Sequence, residues 1–293
     1  MGSTLMTMPT TIDDSQKKMT GMFGHPVAEN PIDRMFDMVY AHYGLNWQFW
    51  KVNIHSVGEL PAAIAGAKAM GFSGFCITVP YKISVIQNLD EFDDDVRVIG
   101  AANYVTFNEG LMIGHNNDGK GVVKAIEKVT SIAGKRVVML GAGGAGRAMA
   151  IEIARAGAAH LTVITRRKSQ GVEVAELVQR VTGVLTQWIL WSGNIALPDG
   201  TQILLNATHL GALPERESVP INWNTLSSKA TVVDVITNPR ITPFLEIARE
   251  KGCSVVDGVD MLVNLAMQIF EVWTGISPEE QVFQNAVETA LNE

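Results

Sequence analysis

The segment Arg136-Val137-Val138-Met139-Leu140-Gly141-Ala142-Gly143-Gly144-Ala145-Gly146-Arg147 decides the fold. A short apolar strand runs into a glycine turn, and a helical stretch, Ala145–Ala156, follows. In that context the GxGxxG spacing marks a dinucleotide-binding turn. Gly141 permits the tight turn, Gly143 lets a pyrophosphate approach the backbone, and Gly146 lets the helix pack close to the strand. Gly144 and Ala145 complete the turn, and the helix start presents free N–H groups to the anion. The same residues also satisfy GxxxxG. However, Arg147-Ala148 stand where a phosphate loop of ATPases needs Lys followed by Ser or Thr, which argues against ATP hydrolysis. The plainer alternative is a set of glycines that serve only a tight turn.

About 20 residues beyond such a turn, an NAD-binding fold places Asp or Glu at the end of its second strand. Here the strand Leu161–Thr165 ends in Arg166-Arg167-Lys168. Three cations and no nearby acid suit a 2′-phosphate, so NADP is the expected cofactor, with NAD as the alternative. The plainer reading is a solvated basic strand end.

Outward from the turn, strands at Arg136–Leu140, Leu161–Thr165, Gln202–Leu205, Thr231–Ile236 and Ser254–Val256 alternate with helices at Ala145–Ala156, at Val172–Val181 and, after Thr242-Pro243, through Glu250. Short continuous apolar strands separated by helices predict a parallel sheet covered on both faces. Before the turn, Met19–Phe23, Ile32–Tyr43, Trp47–Val52, Ala62–Met70 and Phe72–Val79 read as βαβαβ. Ala102–Phe107 and Leu111–Ile113 flank a turn and predict a hairpin at the sheet edge, followed by a helix from Asp118 to Val129. After Asp257-Gly258, Leu262, Leu265, Ile269 and Trp273 recur at helical spacing, and a last helix follows Pro278.

The expected fold class is therefore α/β with two domains. Residues 1–117 form an α/β substrate domain completed by helices in 258–293, and residues 118–257 form a doubly wound dinucleotide-binding domain of Rossmann type. A cleft is expected at their junction.

The totals bound the partners. With 293 residues, 47% apolar and only 18% charged, the chain is globular. Seven net negative charges leave no bulk basic field for nucleic acid or anionic lipid. No apolar run approaches the roughly 18 residues of a membrane span, and MGSTLMTMPTTIDDSQKK lacks a signal core, which predicts a cytoplasmic protein with a frayed leader. Cys76 and Cys253 stand far apart without zinc or disulfide spacing and read as buried thiols; no HExxH occurs, and no metal site is expected. Oligomeric state is open between monomer and homodimer.

Several separate stretches give the chain a resemblance to the shikimate dehydrogenase family, from Gly21 to about Leu291. Gly24-His25-Pro26-Val27 resembles its opening motif. Gly74-Phe75-Cys76-Ile77-Thr78-Val79-Pro80-Tyr81-Lys82 resembles its signature loop. Gly100-Ala101-Ala102-Asn103, Asn116-Asn117-Asp118-Gly119, Asn206-Ala207-Thr208, Thr242-Pro243-Phe244-Leu245 and Asp257-Gly258 through Met261-Leu262-Val263 complete the series.

The resemblance implies an NADP-dependent dehydrogenase that interconverts shikimate and 3-dehydroshikimate. Lys82 and Asp118 become the acid–base pair, Thr78 and Asn103 contact substrate hydroxyls, and Asn206, Ala207 and Thr208 lie at the cofactor. Without the motifs, Lys82 and Asp118 would read as surface charges and Asn103 as a turn residue.

The substrate wall departs from the pattern. The family's two carboxylate-clasping serines are absent from Ala28-Glu29-Asn30-Pro31, which is about two residues shorter. Thr237 stands in place of a Tyr and Leu265 in place of a Gln. Asn30 and Gln268 are the replacement candidates for polar contact, Gln268 because it lies one turn beyond Leu265 on nearly the same helix face. Milder changes are Tyr104, His115 and Asn117. The departures leave open a relative acting on quinate or another ring hydroxy acid. They also leave open a nucleotide-sensing protein without turnover, since a fold alone does not specify catalysis.

Overall fold

The computed structural model describes residues 17–214 and 217–292, so most of the expected leader lies outside the described residues. The chain builds two six-stranded sheets. The first opens with β1 (Lys18–Gly24), α1 (Ile32–His42), β2 (Trp47–Asn53), α2 (Leu60–Ala69) and β3 (Phe72–Ile77). It continues with β4 (Glu91–Phe92), α3 (Asp94–Ile99), β5 (Tyr104–Asn108) and β6 (Leu111–His115), in the order β2-β1-β3-β5-β6-β4. The first three strands are parallel, as the βαβαβ rhythm predicts. The β5–β6 hairpin forms, but it is not the edge of the sheet. Two residues, Glu91 and Phe92, pair in parallel with β6 and take the edge.

Helix α4 (Asp118–Glu127) leads to the second sheet, which contains β7 (Arg136–Leu140), α5 (Gly144–Arg155), β8 (His160–Thr165), α6 (Lys168–Thr182) and β9 (Thr186–Leu190). Then come β10 (Ile203–Asn206), β11 (Thr231–Asp234), α7 (Pro243–Glu250) and β12 (Ser254–Val256). The order β12-β11-β10-β7-β8-β9 is all parallel and reverses direction between β7 and β10, the switch point at which doubly wound folds bind ligands. Along these strands alternate residues face opposite cores. Val137, Met139, Leu161, Val163, Ile203 and Leu205 lie in one cluster, and Val138, Leu140, Ile164, Leu204 and Val232 in the other. That two-sided burial explains why the strands read as unbroken apolar runs.

Helices α8 (Gly258–Thr274) and α9 (Glu280–Asn292) return to the first sheet. Val263, Phe270 and Phe283 share a core with Met35, Phe36 and Tyr40 of α1. The Trp273 indole donates to the Val105 carbonyl (3.2 Å), which fixes α8 on β5. Helix α4 packs against both α5 and α8 and so touches both sheets' helical layers. Among the described residues, no helix is long and apolar enough to cross a membrane.

Candidate active site

Lys82 and Asp118 meet. Their side chains form an ion pair with Lys82 Nζ 2.5 Å from Asp118 Oδ2, and both are largely buried. Local structure puts them there. Lys82 ends the loop after β3, and its carbonyl accepts from Ala102 N (2.8 Å), which binds this loop to the segment leading into β5. Asp118 is the first residue of α4, where the positive end of the helix dipole favours a carboxylate.

Asn103 ties the two together. Its Nδ2 donates to Asp118 Oδ1 (3.0 Å) and to Asn117 Oδ1 (2.7 Å), and its Oδ1 accepts from Asn117 N (3.0 Å). Asn103 therefore orients the carboxylate, and among the described residues its Oδ1 accepts a single bond. Asn116 Oδ1 accepts from Asp118 N (3.1 Å). The lysine thus faces a carboxylate whose second oxygen is already held, an arrangement that can donate and recover a proton at a carbonyl oxygen. Cys76 nearby is buried, and burial pushes its thiol well above the usual range.

The glycine turn abuts this pair. A Cβ on Gly144 would lie 2.8 Å from Lys82 Cβ, and one on Gly146 would lie 2.8 Å from the Gly141 carbonyl oxygen. Gly141 has φ of +103°, in the region that favours glycine. Gly143 faces open space, and no side chain caps α5, so its first N–H groups remain available to an anion. Ala145 is partly buried in the α5 first turn. Arg147 points away from the turn, donating to the Ile99 carbonyl (2.8 Å) and pairing with Glu173 (2.6 Å). Gly144→Ala is expected to displace Lys82 and lower kcat by about 10²-fold with the fold retained, as read by steady-state rates beside a thermal melt.

Arg166, Arg167 and Lys168 are exposed and, among the described residues, form no ion pair. Lys168 begins α6, four residues earlier than the periodicity predicts, so the basic triplet also borders a helix N-terminus, which itself favours an anion. The guanidinium of Arg166 lies 6.0 Å from the Trp191 ring centre, and Lys168 Nζ lies 6.0 Å from that of Trp188.

Ala207 and Thr208 follow β10 and flank Gly141. Asn206 does not reach the site directly. It is fully buried and its amide bonds to Leu210, Asp234 and Thr208, so it shapes the turn beside the glycines.

The substrate-wall candidates divide. Thr78 packs its methyl over Gly24. Asn30 Oδ1 accepts from Ile32 N (3.1 Å), which leaves Nδ2 as a donor without a partner among the described residues. Gln268 Oε1 lies 3.5 Å from Asn117 Nδ2, and its own Nε2 has no partner among the described residues. Leu265 turns its side chain toward Gly121 and offers only its carbonyl, to Asn117 Nδ2 (3.2 Å). Leu265 is thus absorbed into α4–α8 packing, and Gln268 reaches the Asn103 and Asp118 block through Asn117.

Two residues that the sequence does not single out as binding candidates join the site. Asn117 links Asn103 to α8, and Lys51 donates to the carbonyls of Ala28 (2.8 Å) and Asn30 (3.1 Å) while pairing with Asp33 (3.1 Å). Adjacency to Asp118 is the signal in the sequence for Asn117; for Lys51 only the fold supplies one.

Comparison with known proteins adds an independent line. Residues 22–105 match the family described as shikimate dehydrogenase substrate binding domain. A protein named shikimate dehydrogenase (NADP(+)) from Methanococcus aeolicus is 34% identical over 282 residues, covering 94% of this chain and 98% of that one. Among solved structures, the ligand-free 5-ketofructose reductase of Gluconobacter sp. strain CHM43 is 40% identical with a TM-score of 0.83, covering 94% of this chain and 99% of that one. A shikimate dehydrogenase in complex with NADP+ is 30% identical with a TM-score of 0.85, covering 94% and 96%.

Proposed function

Because the chain belongs to the shikimate dehydrogenase family, we propose that it is an NADP-dependent oxidoreductase interconverting a secondary alcohol on a polyhydroxylated, ring-sized substrate and the corresponding ketone. Residues 118–257 would hold the dinucleotide, and residues 1–117 with 258–293 the substrate. The observation that carries this reading is the Lys82–Asp118 pair seated against Gly144 of the glycine turn.

The residues fit the cofactor: the uncapped start of α5 suits a pyrophosphate and the exposed basic triplet suits a 2′-phosphate. When bound, the reduced nicotinamide supplies the hydride. Lys82 gives its proton to the carbonyl oxygen as that oxygen gains charge, and in the reverse direction takes it back from the hydroxyl. Asp118, held by Asn103, keeps the ammonium aimed; Thr78, Asn30 and Gln268 supply hydroxyl contacts.

Two substrates compete. The relatives' names favour shikimate and 3-dehydroshikimate. The wall favours an uncharged polyhydroxylated ketone. The 28–31 loop is short and carries no serine, the Lys51 ammonium is engaged by two carbonyls and Asp33, and Glu29 adds an exposed acid. Each missing partner to a substrate carboxylate costs about 1–3 kcal/mol. The 40% identity to a 5-ketofructose reductase agrees with this second reading.

Initial rates with shikimate and quinate plus NADP+, and with 3-dehydroshikimate and 5-ketofructose plus NADPH, separate them. A kcat/KM for the ketose about 100-fold above that for 3-dehydroshikimate selects the uncharged substrate; the reverse ratio selects shikimate. Bound NADPH without turnover on any of them overturns the enzymatic reading.

A further inference from the structure

Asp234 ends β11 with 1% of its surface exposed, and no ion pair reaches it among the described residues. Burying a carboxyl without a cation costs stability unless hydrogen bonds compensate, and burial pushes this one up to about 7. Its bonds lead to two different loops. Through Oδ1 it accepts from Asn206 Nδ2 (3.1 Å) and Ile236 N (3.2 Å); through Oδ2 it accepts from Thr242 Oγ1 (2.7 Å).

The first loop stands beside the glycine turn. Asn206 passes the constraint on, accepting from Thr208 N (3.1 Å) and Thr208 Oγ1 (2.7 Å) and donating to the Leu210 carbonyl (3.1 Å). A Cβ on Gly141 would lie 3.0 Å from the Ala207 oxygen and 3.1 Å from Thr208 Cγ2, so this loop forms a wall of the turn. The second loop, 235–242, reaches the substrate side: Asn238 Nδ2 donates to the Glu29 carbonyl (2.9 Å) in the shortened 28–31 loop.

We infer that Asp234 is a positioning residue that fixes both lips of the active site at once, the 206–210 loop at the dinucleotide turn and the 235–242 loop over the substrate wall. The inference rests on the reading of the glycine turn as the cofactor site. A carboxylate suits the position because three donors converge on its two oxygens. Asparagine there keeps the Oδ1 contacts but turns an amide donor toward Thr242.

The test is Asp234→Asn in the full chain, read by NADPH fluorescence titration, a thermal melt and kinetics with the best substrate of the panel above. Asparagine keeps the Asn206 bond and loses the Thr242 bond, and one net hydrogen bond corresponds to about tenfold, so the expected result is a rise of about tenfold in the substrate KM with the NADPH dissociation constant and kcat within about threefold, whereas Asp234→Ala, which loses both bonds, is expected to raise the NADPH dissociation constant about tenfold as well. Thr242→Val removes the same bond from the other side and is expected to reproduce the KM rise, while Thr242→Ser restores it; this pair decides the matter should Asp234→Asn fail to fold. A lowered melting temperature with NADPH affinity and KM within about twofold of the native values overturns the inference, leaving Asp234 merely structural. Native protein that binds no NADPH overturns the cofactor reading and this inference together.

Discussion

Lys82→Ala is expected to lower turnover by about 10²–10⁴-fold, the range for loss of a positioned acid–base group, while NADPH still binds. The separation follows from geometry. Lys82 presents its ammonium to Asp118, whereas its contact with the turn is through Cβ, which alanine keeps. The substitution leaves Asp118 largely buried with Asn103 as its remaining side-chain partner, so some stability is lost as well. A thermal melt therefore accompanies the assay, and NADPH titration is the control. Turnover equal to the native rate would remove Lys82 from the mechanism. Loss of NADPH binding along with activity would instead assign it to shaping the turn.

The second large effect concerns cofactor choice. The native protein is expected to bind NADPH more tightly than NADH, and the double change Arg166→Ser with Arg167→Ser is expected to weaken NADPH by about 10–100-fold, since a hydrogen bond to a charged group contributes about 1.5–3 kcal/mol. NADH affinity should move by less than about threefold. Both side chains are exposed, so raising the salt concentration should also weaken NADPH in the native protein and much less in the variant. Fluorescence titrations with the two nucleotides at two ionic strengths measure all of this. A native preference for NADH would remove the basic triplet from cofactor recognition.

How far the sequence could be read depended on where each signal was written. The β7 strand and the turn after it were legible because apolar run, glycine spacing and helix start agree within a dozen residues. Strand β9 was not: Thr186–Leu190 is half-exposed, lies at an edge and follows a glycine-ended helix, so neither alternation nor continuous burial marks it. The two-residue β4 is too short for any periodic signal. In the site, Lys82, Asp118 and Asn103 were legible through the family resemblance and do converge. Asn206 was legible as a motif, but its fully bonded, buried amide was not. The same holds for Asp234, because an acid at a strand end gives no hint of three donors arriving from two loops.

The bonds around Asn103 have a consequence for how the pocket can vary. Lys82, Asn103, Asn117 and Asp118 are linked to one another, and among the described residues no hydrogen bond joins any of them to the 28–31 loop, which is instead held by Lys51 and Asn238. On the proposed reading, the proton-handling group and the 28–31 part of the substrate wall thus sit on separate hydrogen-bonded units. A change of length in that one surface loop can therefore alter what the pocket accepts without disturbing the bonds that hold Lys82 and Asp118.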